Sequence, residues 1–114
     1  MSHGGIALGA RGEALAAAWY EQHGYRVVAR NWRCDIGEID LVAAQADTLV
    51  IAEVKTRASA RFGVPAEAVG QAKQRKLRRL ALAWLAATGS RYDEVRFDVV
   101  SIIGNDVEVI PAAF

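Results

Sequence analysis

Apolar and polar positions follow a helical period in two stretches of the chain and alternate with a period of two in most of the rest. In residues 10–23, Leu15, Ala16, Trp19 and Tyr20 form one apolar stripe, and Gly24 stands where a left-handed C-terminal cap belongs, which predicts a helix. Residues 25–33, 38–44 and 48–57 alternate as strands, joined by Cys34-Asp-Ile-Gly and Gln45-Ala-Asp. Residues 58–65, with Gly63 and Pro65, predict a loop able to pass over the strands' charged face. A second helix is expected over 66–88, where Leu77, Leu80, Ala81, Trp84 and Leu85 recur at helical spacing and Gly89 stops the run. Strands at 94–103 and 107–110 close the chain, with Gly104-Asn-Asp between them. The order α-β-β-β-α-β-β predicts an α/β fold. Three strands form an antiparallel meander, a fourth arrives after a helical crossover and runs parallel to its neighbour, and helices cover both faces of the mixed sheet.

Charge interrupts this pattern at specific places. Thr48-Leu-Val-Ile-Ala-Glu-Val-Lys ends a buried-looking strand with Glu53 and Lys55, and Asp40 sits between Ile39 and Leu41 in the strand before it. A hairpin centred between Ala46 and Asp47 pairs residue 45 with 48 and, continued outward, 40 with 53. Cross-strand partners have β-carbons roughly 5 Å apart, and like charges so placed repel. Alternation adds Glu38 to the face of Asp40, and Lys55 and Arg57 to the face of Glu53. Two carboxylates from two strands suit a hard cation such as Mg2+ or Mn2+, which binds through one or two acids and leaves room for water and phosphate. Lys55 is then placed to activate water or balance charge at phosphorus. That is the logic of metal-assisted phosphodiester hydrolysis.

With 114 residues, 53% apolar and 24% charged, the chain reads as one ordinary globular domain spanning 1–114, its first eight residues expected to be flexible. The longest apolar run, residues 80–87, is far short of a membrane span. The opening Met-Ser-His-Gly-Gly lacks the features of a secretory signal, and a single cysteine, Cys34, permits no internal disulfide, so a cytoplasmic location is expected. Net charge is only +1, but residues 55–91 hold nine basic residues and one acid, Glu67. On the second helix Arg75, Lys76, Arg78 and Arg79 fill the arc opposite the core stripe with no acid to pair them, which points to a polyanion such as DNA. Lys73 falls in line with Leu77 and Leu80 and is expected to point inward. Trp32 is expected to pack beneath the first helix, and Asp98 to serve as an ion-pair or strand-end residue. His3, His23 and Cys34 suggest no zinc site, and Gly9-Ala-Arg-Gly12 is neither a P-loop nor a dinucleotide fingerprint.

Gly12-Glu13, Gly24-Tyr25, Arg30-Asn31-Trp32-Arg33, Gly37-Glu38-Ile39-Asp40, Glu53-Val54-Lys55-Thr56-Arg57, Phe62-Gly63, Ala68-Val69, Lys73 and Phe97-Asp98 together resemble the successive blocks of the bacterial YraN family. That family is similar to the restriction-endonuclease-like superfamily, including archaeal Holliday-junction resolvases, whose site is a PD-(D/E)xK arrangement. The resemblance implies Asp40 and Glu53 as metal-binding acids, Lys55 as the catalytic lysine, Glu13 as an added acid from the first helix and Lys73 as a polar site residue from the second. Ile39 stands where the motif name has proline. The expected protein is a Mg2+- or Mn2+-dependent, endonuclease-like hydrolase that binds DNA, with Arg57, Arg75, Lys76, Arg78 and Arg79 as nucleic-acid contacts. The alternative is a non-cleaving nucleic-acid-binding accessory protein of repair or recombination. DNA against RNA, protein partners and oligomeric state, a homodimer included, stay open.

Overall fold

The structure, a computed structural model, describes residues 4–57 and 69–114, with side chains in the first helix from residue 9 onward. Its elements are α1 (Gly4–Gln22), β1 (Arg26–Arg33), β2 (Glu38–Gln45), β3 (Thr48–Arg57), α2 (Gln71–Thr88), β4 (Glu94–Ile103) and β5 (Asp106–Ile110). The strands form one mixed sheet in the order β1-β2-β3-β4-β5. As the pattern predicts, β1 to β3 are an antiparallel meander, β4 runs parallel to β3 from Thr48↔Glu94 to Arg57↔Ile103, and β5 returns antiparallel.

Alternation along the strands feeds two cores. On one face Val42, Ala44, Leu49 and Ile51 meet Leu77, Leu80, Ala81 and Trp84 of α2; on the other Leu41, Ala43, Val50, Ala52, Val100 and Ile102 meet Ala16, Ala17 and Tyr20 of α1. Each fully buried leucine or isoleucine contributes roughly 1.5–3 kcal/mol by leaving water. The described helices and strands contain no helix long and apolar enough to cross a membrane.

Both helix starts differ from the sequence expectation. α1 begins at Gly4, so residues 4–8 are helical rather than a lead-in. α2 begins at Gln71 instead of 66: Gly70 is extended at φ −64° and ψ 159°, and the first turn closes with the Gln74 N–H donating to the Gly70 carbonyl at 2.9 Å. A glycine in the first predicted turn favours ending the extended segment there over continuing a helix. The expected loop at 58–65, and residues 66–68, lie outside the described residues. Gly89 takes the left-handed conformation at φ 65° and ends α2 as predicted.

α1 is fixed to the sheet at two points along its length. Near its C-terminal end, the Tyr20 hydroxyl donates to Asp98 Oδ2 at 2.7 Å. Asp98 is 1% exposed, and its carboxylate also accepts Arg96 Nε at 2.9 Å, Arg96 Nη2 at 2.9 Å and the Ala112 N–H at 3.0 Å. Every buried lone pair thus has a donor, and the expected ion-pair role of Asp98 is what the fold uses. Burial, then the adjacent Asp98 charge, hold the Tyr20 hydroxyl protonated far above its ordinary range, while the hydrogen bonds that Arg96 donates to Asp98 hold its guanidinium charged. Toward the other end, Gly12 lies so close to β3 that a β-carbon there would collide with the Thr56 side chain.

Candidate active site

Asp40 marks a break in the regular strand. Strict alternation would send its neighbours Ile39 and Leu41 to one face, yet Ile39 packs in the α2 core and Leu41 in the α1 core. β2 therefore turns over at Asp40. Across on β1, Arg30 pairs with Leu41 and Trp32 with Ile39, while Asn31 between them has a φ of 52°. Asparagine enters that left-handed region more readily than other side chains. The same reversal corrects the placement of Trp32, which joins the α2 core and not the underside of α1.

The reversal also corrects the expected pairing of Asp40 with Glu53. The β2–β3 ladder keeps the predicted register from Gln45↔Thr48 to Leu41↔Ala52 and stops one pair short of the acids. In place of a backbone partner, the Val54 N–H donates to Asp40 Oδ2 at 2.8 Å. Asp40 thus caps a donor that the departing strand would otherwise leave unpaired.

Four acids from three elements act on one another here. Burial pushes the Asp40 carboxyl up to about 7, opposed by the Val54 N–H and reinforced by the charges of Glu53, Glu13 and Glu38, in that order. The structure thereby brings the expected Glu13 of α1 beside the two strand acids. Glu53, its side chain 16% exposed, meets Lys73 of α2 with Oε2 and Nζ 3.4 Å apart, and Glu38 meets Arg33 at 3.4 Å. Lys73 was expected to point inward; its side chain is 43% exposed, and it reaches Glu53 from the solvent side. Lys55 and Arg57 are half-buried at the next alternate positions of β3.

Among the described residues no three carboxylate, imidazole or thiol groups converge into a ready-made metal cage. Two carboxylates on adjacent strands are nonetheless the donor set that Mg2+ or Mn2+ ordinarily requires. The fit is electrostatic as well as chemical. Burial first, and the three neighbouring negative charges after it, favour a proton on Asp40, and a divalent cation among them would replace that proton and remove the repulsion.

The basic residues of α2, Lys73, Arg75, Lys76, Arg78 and Arg79, are all exposed but differ in what their side chains touch. The Lys76 side chain lies against Gly37, whose φ of 155° and lack of a β-carbon allow the β1–β2 turn to approach α2. Arg78, exposed as well, lies over the rings of Phe97 and Phe114, its guanidinium carbon 4.9 and 5.4 Å from their centroids. It borders a mostly apolar pocket of about 260 Å3 with Ala81, Leu82, Leu85, Val95 and Phe97, which contains none of the acids.

Sequence reasoning missed the residues that shape the site without reacting. Gly12 was legible in principle, because a glycine inside a helix costs about 1 kcal/mol relative to alanine and so signals a close approach. Asn31 and Gly37 carried weaker signals, each being a residue tolerant of positive φ inside or beside a strand. Nothing in the local pattern announced that Arg96 and Tyr20 would enclose Asp98.

Comparison with known proteins agrees over nearly the whole chain. The model of the uncharacterised protein family UPF0102 matches residues 12–102, which include all four acids, Lys55 and Lys73. A UPF0102 protein of Nocardia farcinica is 53% identical over 97 residues, covering 85% of this chain and 76% of its own length. One from Rhodococcus jostii is 52% identical over 103 residues, covering 90% and 86%, and one from Geobacter sulfurreducens 50% over 101 residues, covering 89% and 79%. The chain belongs to the UPF0102 family, the YraN family of the sequence resemblance.

Proposed function

We propose that the protein is a nuclease-like enzyme that binds DNA and hydrolyses phosphodiester bonds with Mg2+ or Mn2+. The observation that carries this reading is the acidic cluster around Asp40, whose carboxyl is pushed up to about 7 by burial and by Glu53, Glu13 and Glu38. A cluster so costly to keep charged is unusual outside functional sites. The helix and strand order matches what the resemblance to resolvase-like nucleases implies, although a fold by itself carries no activity.

Asp40 and Glu53 would hold the metal, which supplies charge stabilisation for the phosphate and an activated water. Lys55 offers an ammonium to the negative charge that develops at phosphorus as one ester P–O bond breaks and one to water forms. Lys73 orients the Glu53 carboxylate, and Glu13 adds to the acidic wall. Arg57 and the exposed cations of α2 contribute attraction for phosphates.

A second reading has its own support. The Lys73 ammonium already neutralises Glu53 internally, as a non-cleaving nucleic-acid-binding accessory protein would require. Metal titration followed by a cleavage screen over single-stranded, duplex and four-way-junction DNA separates the two. Lys55→Ala is expected to keep Mn2+ and DNA binding and to lower cleavage about a hundredfold, the scale of losing one preorganised charge. Equal cleavage by mutant and wild type would assign the activity to a contaminant and favour the accessory reading.

A further inference from the structure

The basic surface does not end with α2. Among the described residues β1 pairs only with β2, at one edge of the sheet, and it carries Arg26, Arg30 and Arg33 exposed with no acid among its eight residues. Arg30 pairs through its backbone with Leu41, one residue from Asp40, and Arg33 with Glu38 at the start of the same strand. The β1–β2 turn then brings this edge to α2, because Gly37 packs against the Lys76 side chain. Lys73 stands one helical turn before Lys76 and reaches Glu53.

We infer that Arg30 and Arg33, on the α1 side of the β1 edge by their pairing with Leu41 and Glu38, and Lys76 and Lys73, at the start of α2 on the other side, form a rim of phosphate contacts that wraps this edge beside the acids, along which a nucleic-acid backbone enters. The inference rests on the proposed function and adds the direction of approach to it. Among the described residues Arg30 takes part in no ion pair. Arg33 pairs with Glu38 at 3.4 Å, but its side chain is 77% exposed, and pairs so exposed are weak enough for a phosphate to displace. Edge strands also carry charge simply to prevent sheet-to-sheet association. That general role would value Arg26 as much as Arg30, whereas the rim requires the two residues beside Asp40. Arg26 pairs with Ala44, toward the other end of β2.

The test is binding of a labelled DNA duplex without metal across a salt series, with circular dichroism confirming that each variant is folded. Replacing Arg30 and Arg33 together with glutamine is expected to weaken binding and make the slope of log K against log salt shallower by about two units, roughly 0.9 for each lost contact. Arg26→Gln is expected to keep the wild-type slope. Wild-type affinity and slope in the double variant would overturn the rim, and so would an equal loss in Arg26→Gln, which would leave only a diffuse field. A wild-type protein that binds no duplex even at low salt would overturn the proposed function together with the rim; binding that survives the double variant overturns the rim alone.

Discussion

Asp40 holds its proton more tightly folded than unfolded, so in the metal-free protein it adds stability that is complete below its unfolded value of 3.8 and is lost as the pH rises through about 7. Asp40→Asn removes this dependence while keeping an oxygen for the Val54 N–H. With a chelator at pH 8 the variant is expected to melt at least about 4 °C above wild type, which corresponds to about 1 kcal/mol in a domain of this size. At pH 4 the difference should vanish. Calorimetry on the same variant should show Mn2+ binding lost; unchanged Mn2+ affinity would remove Asp40 from the metal site. Asp98 sits in a different setting, because its buried carboxylate accepts four hydrogen bonds, two of them from Arg96. Arg96→Met strands that carboxylate in the core and is expected to destabilise by about 3–5 kcal/mol. Arg96→Met combined with Asp98→Leu should recover much of the loss in chemical denaturation, which a mere packing role for Arg96 would not allow.

At the scale of elements, close approaches decide where the acids stand. Gly12 sits directly before Glu13, and its contact with Thr56 lets α1 lie against β3 at the level of the acids. Gly12→Val is expected to lift α1, lower the melting temperature and bring the Asp40 titration measured by NMR below about 7, since Glu13 would retreat with the helix. The β2–β3 turn carries a separate strain: Ala46 has a φ of 51°, which glycine adopts without hindrance. Ala46→Gly should raise stability by about 0.5–1 kcal/mol, read from thermal melts. These elements also show how far the sequence could be read. Element order and the hairpin register up to Leu41↔Ala52 were legible because apolar alternation and turn residues are local signals. The reversal at Asp40 was not. It depends on β1, where Asn31 takes a left-handed conformation, and strict alternation in β2 alone contains no trace of it. Of the site, Asp40, Glu53 and Glu13 could be grouped in advance through motif and resemblance, although the cross-strand pair expected of Asp40 and Glu53 does not form. The reach of Lys73 from solvent and the turn of Arg78 onto Phe97 and Phe114 depended on packing that helical spacing does not encode.

For the whole molecule, segregated charge outweighs a net charge of +1. Arg75 and Arg79 lie one turn apart on the exposed face of α2, so replacing both should weaken binding to unrelated DNA sequences alike and flatten the salt dependence by about two units. An intact double variant that binds as wild type would take α2 out of the interface. A different consequence follows from the parallel pairing of β3 with β4. Glu53 and Lys55 stand on a strand whose second neighbour reaches it only after α2 has been traversed. Ribosomal synthesis therefore delivers all four acids well before the strand that walls them on one side. Closing so long a loop is slow compared with forming a local hairpin. During that interval β3 has an unsatisfied edge, open to misassociation, and the nascent chain carries the letters of its chemistry without the scaffold that gives them a shared address.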